Sequence, residues 1–292
     1  MFNSENNTCA PSHFAYFIFQ TLYMLPFVLI YLKFTYRVIF KNNEKYSDAF
    51  FTIYLVDGVS NLFYILGDFA IPRAMAYIDI YCEFMMRHFT KPTYFLTPHF
   101  FFYMFFQFMK SFSLVLLCLN RYTSVVKPLE HKHFWKRHLH KLIIAQIILS
   151  VFFSSPTLTG PAYTQISISY VQVVYVHNIP YIRTSLFRII TIIPSIAFIV
   201  ISNIILMSKL SKVTENMRKL IITTIIMSIS QILTLMTFLL VYYVPAQFWL
   251  NYPNLSAAYL LLSQITKDVD MISGTLCLLV LDGRIRSTIF LT

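Results

Sequence analysis

The chain has 292 residues, of which 57% are hydrophobic and only 12% charged. A soluble domain carries about 25% charged residues, so this composition excludes an ordinary soluble enzyme and points to a membrane protein. The net charge of +11 does not make it a nucleic-acid binder, because the cations stand in short clusters between long apolar runs.

In chain order, residues 1–12 are short and polar, and Asn6-Asn7-Thr8 is a glycosylation sequon. The uncharged run 14–32 has the ~20 residues a helix needs to cross a bilayer core. No basic segment precedes it and no small-residue cleavage site follows, so it reads as an uncleaved span. Lys33, Arg37, Lys41 and Lys45 come next and place its C-terminal end in the cytoplasm. Further apolar runs at 49–71, 98–119, 142–158, 186–207, 220–244 and 255–281 make seven spans, all helical, since strands of a membrane barrel would be short and alternating. The expected fold is an all-α membrane protein, a single seven-helix bundle over residues 1–292.

Charge sets the expected orientation. With the N-terminus extracellular and the C-terminus cytoplasmic, most of the 23 Lys and Arg residues fall inside, as the positive-inside rule requires. The second sequon, at Asn254, then lies in the last outer loop. Residues 142–182 hold no charge and could be drawn as two spans. The polar second half, with Ile166-Ser167-Ile168-Ser169-Tyr170 alternating like a strand, reads instead as an outer loop with some extended structure.

Four cysteines are too few for a disulfide framework. Cys118 and Cys277 stand in apolar runs as small buried hydrophobes. Cys9 and Cys82 are in polar surroundings and form the one candidate pair if both face the oxidising side. With five Gly there is no dinucleotide fingerprint and no P-loop. No nucleophile–base pair or metal-ligand spacing is visible, so no enzyme activity, cofactor or metal site is expected. His131, His133, His138 and His140 are interleaved with Lys and Arg, which reads as a solvated, lipid-binding cationic segment on a cytoplasmic loop.

The stretch 98–141 organises the chain. An aromatic run crosses one charge at Lys110, continues apolar to Leu119, ends in Asn120-Arg121-Tyr122, and is followed by Lys127-Pro128 and a basic segment. In this order it resembles the third helix and second cytoplasmic loop of a rhodopsin-like receptor. Tyr54, Asp68, Arg73, Tyr77, Phe89, Pro92, Trp135, Asp268, Asp282 and Arg286 widen the pattern, which is similar to the nematode serpentine receptor class gamma family. That resemblance implies a chemosensory receptor of the plasma membrane, with a small-molecule ligand and a heterotrimeric G protein as partners besides the lipid bilayer. It also implies a coupling switch at Asn120, Arg121 and Tyr122. The acidic neighbour usual in such a motif is Asn120 here, so Glu215, before the sixth span, is the candidate partner of Arg121. The other reading is that Arg121 snorkels to the headgroups as a topology signal. The last span has Gly274-Thr275 where similar receptors carry a helix-breaking Pro.

Charges inside spans are functional candidates, because an unpaired charge in hydrocarbon is expensive. Lys110 stands roughly 16 Å above Arg121 along its helix, and Asp57 reaches a similar depth. With Asp268 and Asp270 on the last span these form one expected polar cluster, in which Lys110 supplies the positive charge that a bound sodium ion supplies in many similar receptors. The other readings are a static packing salt bridge, or an ion path through a transporter or channel, although no internal repeat is found. Lys267 invites comparison with a retinal Schiff-base lysine, but it can pair with Asp270 three residues on. Tyr103, Gln107, Arg188, Tyr242 and Gln264 are the pocket candidates of the outer half. The aromatic wall 99–108 reads mainly as lipid-facing and packing surface.

Topology generates the first expectation. Asn6→Gln and Asn254→Gln should each remove extracellular glycan wherever that sequon is used. A protease-protected N-terminus in intact cells would reverse every loop and overturn the assignment.

Overall fold

Long uncharged runs leave the backbone one economical way to satisfy its polar groups in lipid, and the chain takes it. The computed structural model describes residues 14–40, 49–166, 171–176, 184–209, 215–243 and 251–281. In order these form α1 (Phe14–Phe40), α2 (Ala49–Asp68), a π-helical turn (Phe69–Arg73), α3 (Ala74–Tyr77), α4 (Asp79–His88), α5 (Thr97–Val126) and α6 (Pro128–Ser154). Then come the strands β1 (Ala162–Ile166) and β2 (Val171–Tyr175), and the helices α7 (Thr184–Ser208), α8 (Glu215–Tyr243) and α9 (Pro253–Leu281).

Among the described residues, five segments are long and apolar enough to cross a membrane: Phe14–Arg37, Ala49–Tyr77, Tyr94–Val126, Pro128–Thr159 and Ile190–Ser208. Helix α8 holds a shorter apolar stretch, Ile221–Thr237, and α8 and α9 each run to 29 residues. The chain is an all-α, multi-pass membrane protein.

Two prolines set the boundaries of the central hairpin. Pro98 stands in the first turn of α5 and Pro128 in the first turn of α6, where a missing N–H costs nothing. Between them only Lys127 leaves helical geometry, so the chain reverses at one residue. The expected abrupt end at Asn120-Arg121-Tyr122 is corrected: α5 runs on to Val126 and keeps this triplet inside the helix. The basic segment expected as a loop is likewise helical, continuous with the fourth span from Pro128 onward. Charged residues are good helix formers, and the turn needs nothing from them.

Helix α5 is the hub, packing against α2, α6, α7 and α8. Helix α9 lies along α8, and α1 closes the ring between α2 and α9. The main core joins Tyr31, Phe50, Tyr54, Leu117, Trp135, Ile199 and Met227 from six of these helices. Polar ties fix the α5–α6 register: Gln146 donates to the Met109 carbonyl at 2.8 Å and to Ser113 Oγ at 2.7 Å. Lower down, Trp135 Nε1 donates to Thr123 Oγ1 at 2.9 Å. Gly274 lets α9 approach closely, since a Cβ there would meet Met227 Cε at 3.1 Å and Tyr54 Cε2 at 3.3 Å.

The end of the bundle away from Arg121 is capped by α4 and a β-hairpin. Strands β1 and β2 pair antiparallel from Ala162↔Tyr175 to Ile166↔Val171. The expected extended segment is thus present, although residues 167–170 lie outside the described ones. Thr164 N donates to the Phe89 carbonyl at 2.7 Å, and Thr97 Oγ1 donates to the Gly160 carbonyl at 2.9 Å. Cys82, Met85, Leu96 and Ala162 form the small apolar core under this cap.

Cys82 is disulfide-bonded, whereas Cys118 is free and buried. Cys9, the expected partner, and the side chain of Cys277 lie outside the described residues. Cys277 sits near the far end of α9 from Gln264, whose side chain meets α3 next to the cap; the pairing of Cys82 with Cys9 is a proposal. Cys9→Ser is expected to expose the Cys82 thiol to maleimide in the unreduced protein. Continued protection would assign the bond to Cys277.

Candidate functional site

Arg73 lies five residues after Asp68, and in a regular α-helix that spacing puts two side chains on different faces. The π-helical turn Phe69–Arg73 closes at i→i+5 and brings them together. Pro72 sits inside this turn, where its lack of an N–H disrupts the regular ladder. Arg73 Nε then donates to Asp68 Oδ2 at 2.6 Å. The guanidinium also makes a forked pair with Asp268 of α9, Nη1 reaching Oδ2 at 3.0 Å and Nη2 reaching Oδ1. Its plane stands over the Phe69 ring, 4.4 Å from the centroid.

The first helix completes this node. Tyr23 donates to Asp268, and Gln20 Oε1 accepts from Arg73 Nη1 at 3.2 Å. Gln264 Oε1 accepts from Gln20 Nε2 at 2.9 Å and from the Tyr77 hydroxyl at 2.6 Å. Arg73 is only 2% exposed. Arg73 lies just past the expected span 49–71, yet the structure takes it inward: Arg73 is a buried cation bound by two carboxylates. The available signal was Asp68 and Arg73 flanking an apolar run that contains a proline.

About half a helical turn deeper on α9 is a second ion pair. Lys110 Nζ lies 3.1 Å from Asp270 Oδ2 and also donates to the Asp270 carbonyl. Ser230 donates to Asp270 Oδ1 at 3.2 Å, and Ser273 to the Asp270 carbonyl at 3.0 Å. Asp57 lies within electrostatic reach of both charges. Its Oδ2 accepts from Asn61 at 3.0 Å, while Oδ1 has no hydrogen-bond partner among the described residues. The four charges expected as one cluster are therefore divided. Asp57, Lys110 and Asp270 stay together, whereas Asp268 turns to Arg73, because residues two apart on a helix point about 200° apart. The expected Lys267–Asp270 pairing is also replaced, with Asp270 taking Lys110 and Lys267 Nζ standing 5.8 Å from the Tyr103 ring centroid.

A small cavity of about 20 Å³ opens beside the Lys110–Asp270 pair, walled by α5, α7, α8 and α9. Gln107, Ser111, Gln231, Thr234 and Lys267 supply its polar wall, and Ile192, Leu235 and Met271 its apolar one. Gln231 donates to Ser111 Oγ at 2.8 Å. The carbonyl oxygens of Gln231 and Gln107 have no hydrogen-bond partner among the described residues. Of the pocket candidates, Gln107 lines this cavity and Tyr103 lies beside Lys267. Gln264 is instead engaged in the Arg73 node, and the side chains of Arg188 and Tyr242 lie outside the described residues. Asn6 does too, while Asn254 stands in the first turn of α9 with its side chain likewise outside.

At the opposite end, Arg121 is 4% exposed, and its guanidinium carbon is 3.8 Å from the centroid of Phe50 on α2. Snorkelling to headgroups does not describe this buried position. Asn120 is fully buried, and its amide has no hydrogen-bond partner among the described residues. Glu215 is exposed and pairs with Lys219 at 2.8 Å, one turn along its own helix, instead of with Arg121. The hydrogen bond and charge of Lys219 hold the Glu215 carboxyl below its usual range. Tyr122 is half-buried.

A sequence profile described as Srg family chemoreceptor matches residues 17–289. The chain is 27% identical over 222 residues to serpentine receptor class gamma-13 of Caenorhabditis elegans, covering 73% of this chain and 65% of that protein. It is 25% identical over 206 residues to serpentine receptor class gamma-1 of the same organism, with 68% and 70% covered. To serpentine receptor class gamma-14 it is 24% identical over 283 residues, with 94% and 83% covered. The chain thus spans just under two thirds of the class gamma-13 protein and more of the other two.

Removing one partner of a buried ion pair leaves an uncompensated charge, at a cost of about 3–5 kcal/mol. Lys110→Met and Arg73→Met should each lower the thermal stability of the solubilised protein. Asp270→Asn is expected to restore part of the first loss, and Asp268→Asn part of the second. Strictly additive losses in both double variants would show that neither pair is coupled.

Proposed function

The chain belongs to the Srg chemoreceptor family, and from that premise we propose that it is a chemosensory receptor which binds a small environmental molecule and signals through a heterotrimeric G protein. In this reading it crosses the plasma membrane seven times as one domain, with the N-terminus outside and the C-terminus inside. The positive-inside distribution and the seven helices of 20 residues or more among the described residues support that topology.

One observation carries the reading: a small, mostly apolar cavity shared by four helices with an interhelical ion pair at its edge. A ligand that offers a donor to Gln107 or Gln231 satisfies an oxygen otherwise unpaired. The same ligand touches Lys110 and Asp270, so it can favour one arrangement of α5 against α9 over another. In its present state the cavity admits little more than a water or two, so ligand entry requires the helices to part. Helix α5 carries Lys110 and Arg121 on one rigid rod, which links the cavity to the proposed coupling end. Arg121 on Phe50 is the contact that a shift of α5 against α2 would break, and Asn120 and Tyr122 flank it. The transporter reading gains no support from these charges, since Lys110 and Arg73 are each held by carboxylates across helices.

The test is a calcium or cAMP response in cells expressing the chain, screened against odorants and metabolites. Gln231→Leu should raise the half-maximal concentration of an active compound about tenfold, as expected for one lost hydrogen bond at a buried carbonyl. Arg121→Ala is expected to abolish the response without changing surface expression. A ligand response indifferent to both substitutions would overturn the site and the coupling end together.

A further inference from the structure

Helix α6 presents its exposed residues between 128 and 141 as one face. Lys132, Lys136 and His140 form one row at i, i+4, i+8, and His133, Arg137 and Lys141 form the adjacent row. All six are exposed, and none makes an ion pair among the described residues. The face covers about half of the helix circumference at 3.6 residues per turn. The opposite side is anchored by Trp135, which is 3% exposed and bonded to Thr123.

The same outward face changes character abruptly above Lys141. Ile144, Ile148 and Phe152 are exposed at 55%, 61% and 64% and continue the stripe upward. An outward apolar face of a membrane helix touches acyl chains, so the basic residues directly below it stand where the headgroups begin. From residue 132 to 141 the stripe rises roughly 13 Å, which takes it through the headgroup layer and into the adjoining water. Lys and Arg at this depth attract anionic lipid with about fivefold in affinity each.

We propose that the outward face of α6 formed by Lys132, Lys136, Arg137 and Lys141 is a binding surface for anionic phospholipid headgroups of the cytoplasmic leaflet. Its side of the membrane rests on the topology proposed above; its chemistry does not. The face is rigid, because it is continuous with the fourth span and pinned by Trp135. Bound headgroups therefore act on the turn at Lys127 and on the neighbouring coupling end of α5.

The test uses the full chain solubilised in detergent, a medium with no sides. Native mass spectrometry in dioleoyl phosphatidylserine and, separately, dioleoyl phosphatidylcholine reads the retained lipid. The intact protein should hold phosphatidylserine in preference, and the preference should weaken as ionic strength rises. K132Q/K136Q/R137Q/K141Q should lower that preference by at least tenfold, whereas K132R/K136R/K141R should keep it. If the quadruple variant does not fold, K136Q and R137Q taken singly should each lose about fivefold. Absence of a preference in the intact protein, or its survival in the Gln variants, overturns the proposal. Survival of the preference together with lost G protein capture would give the face to an acidic protein instead, which also overturns it. A reversed topology accompanied by an intact lipid preference would reject the orientation and leave the headgroup face standing.

Discussion

The structure depends on a single buried guanidinium. Arg73 sits between Asp68 on its own helical segment and Asp268 on the last helix, with Tyr23 and Gln20 of the first helix filling the remaining directions. In hydrocarbon such a cation cannot remain unpaired, and two carboxylates need it as much as it needs them. The mutual requirement ties the beginning, the second segment and the end of the chain at one point. Packing of small apolar faces alone, which has no hydrophobic drive inside a membrane, would leave these helices free to slide.

Lys110 repeats the principle about half a turn deeper on α9, with a different consequence. Asp270 satisfies it by both a carboxylate oxygen and a main-chain carbonyl, so the pair fixes the height of α5 against α9. Asp57 keeps one oxygen without a hydrogen-bond partner among the described residues beside it. A core built this way is held by a few directional contacts, and Lys110 has a second carboxylate, Asp57, within electrostatic reach. Such a core can hold two arrangements without loosening as a whole.

Much of this was legible in the sequence, and the parts that were not share a cause. Uncharged runs separated by basic clusters point to the long helices, because hydropathy is a property of length and composition, but they miss the polar extensions of α1, α5 and α6. The proximity of Lys110 and Asp57 could be read from depth alone. Arg73 could not, since it lies past the end of the apolar run 49–71 and only the π-helical turn carries it inward. Asp268 and Asp270 looked equivalent for the opposite reason: depth alone ignores the rotation that separates residues two apart. The helical form of residues 128–141 was hidden by Pro128, which reads as a break in sequence and serves in the structure as a helix start. Glu215 stands before the sixth span, where a partner of Arg121 is expected, but a lysine one turn away on its own helix has the easier reach.

The π-helical turn has a consequence for how this chain can vary. It holds one residue more than an α-helical turn would between Asp68 and Arg73. Deleting one of the intervening four would set Asp68 and Arg73 four apart, a spacing that a regular α-helix already brings together, so the segment beyond would keep its facing. A further insertion has no such outlet and would turn everything beyond it by about 100°. Tyr77 would then leave Gln264, and the disulfide-bonded Cys82 would swing with α4 out of the cap. The interval therefore tolerates shortening and resists lengthening.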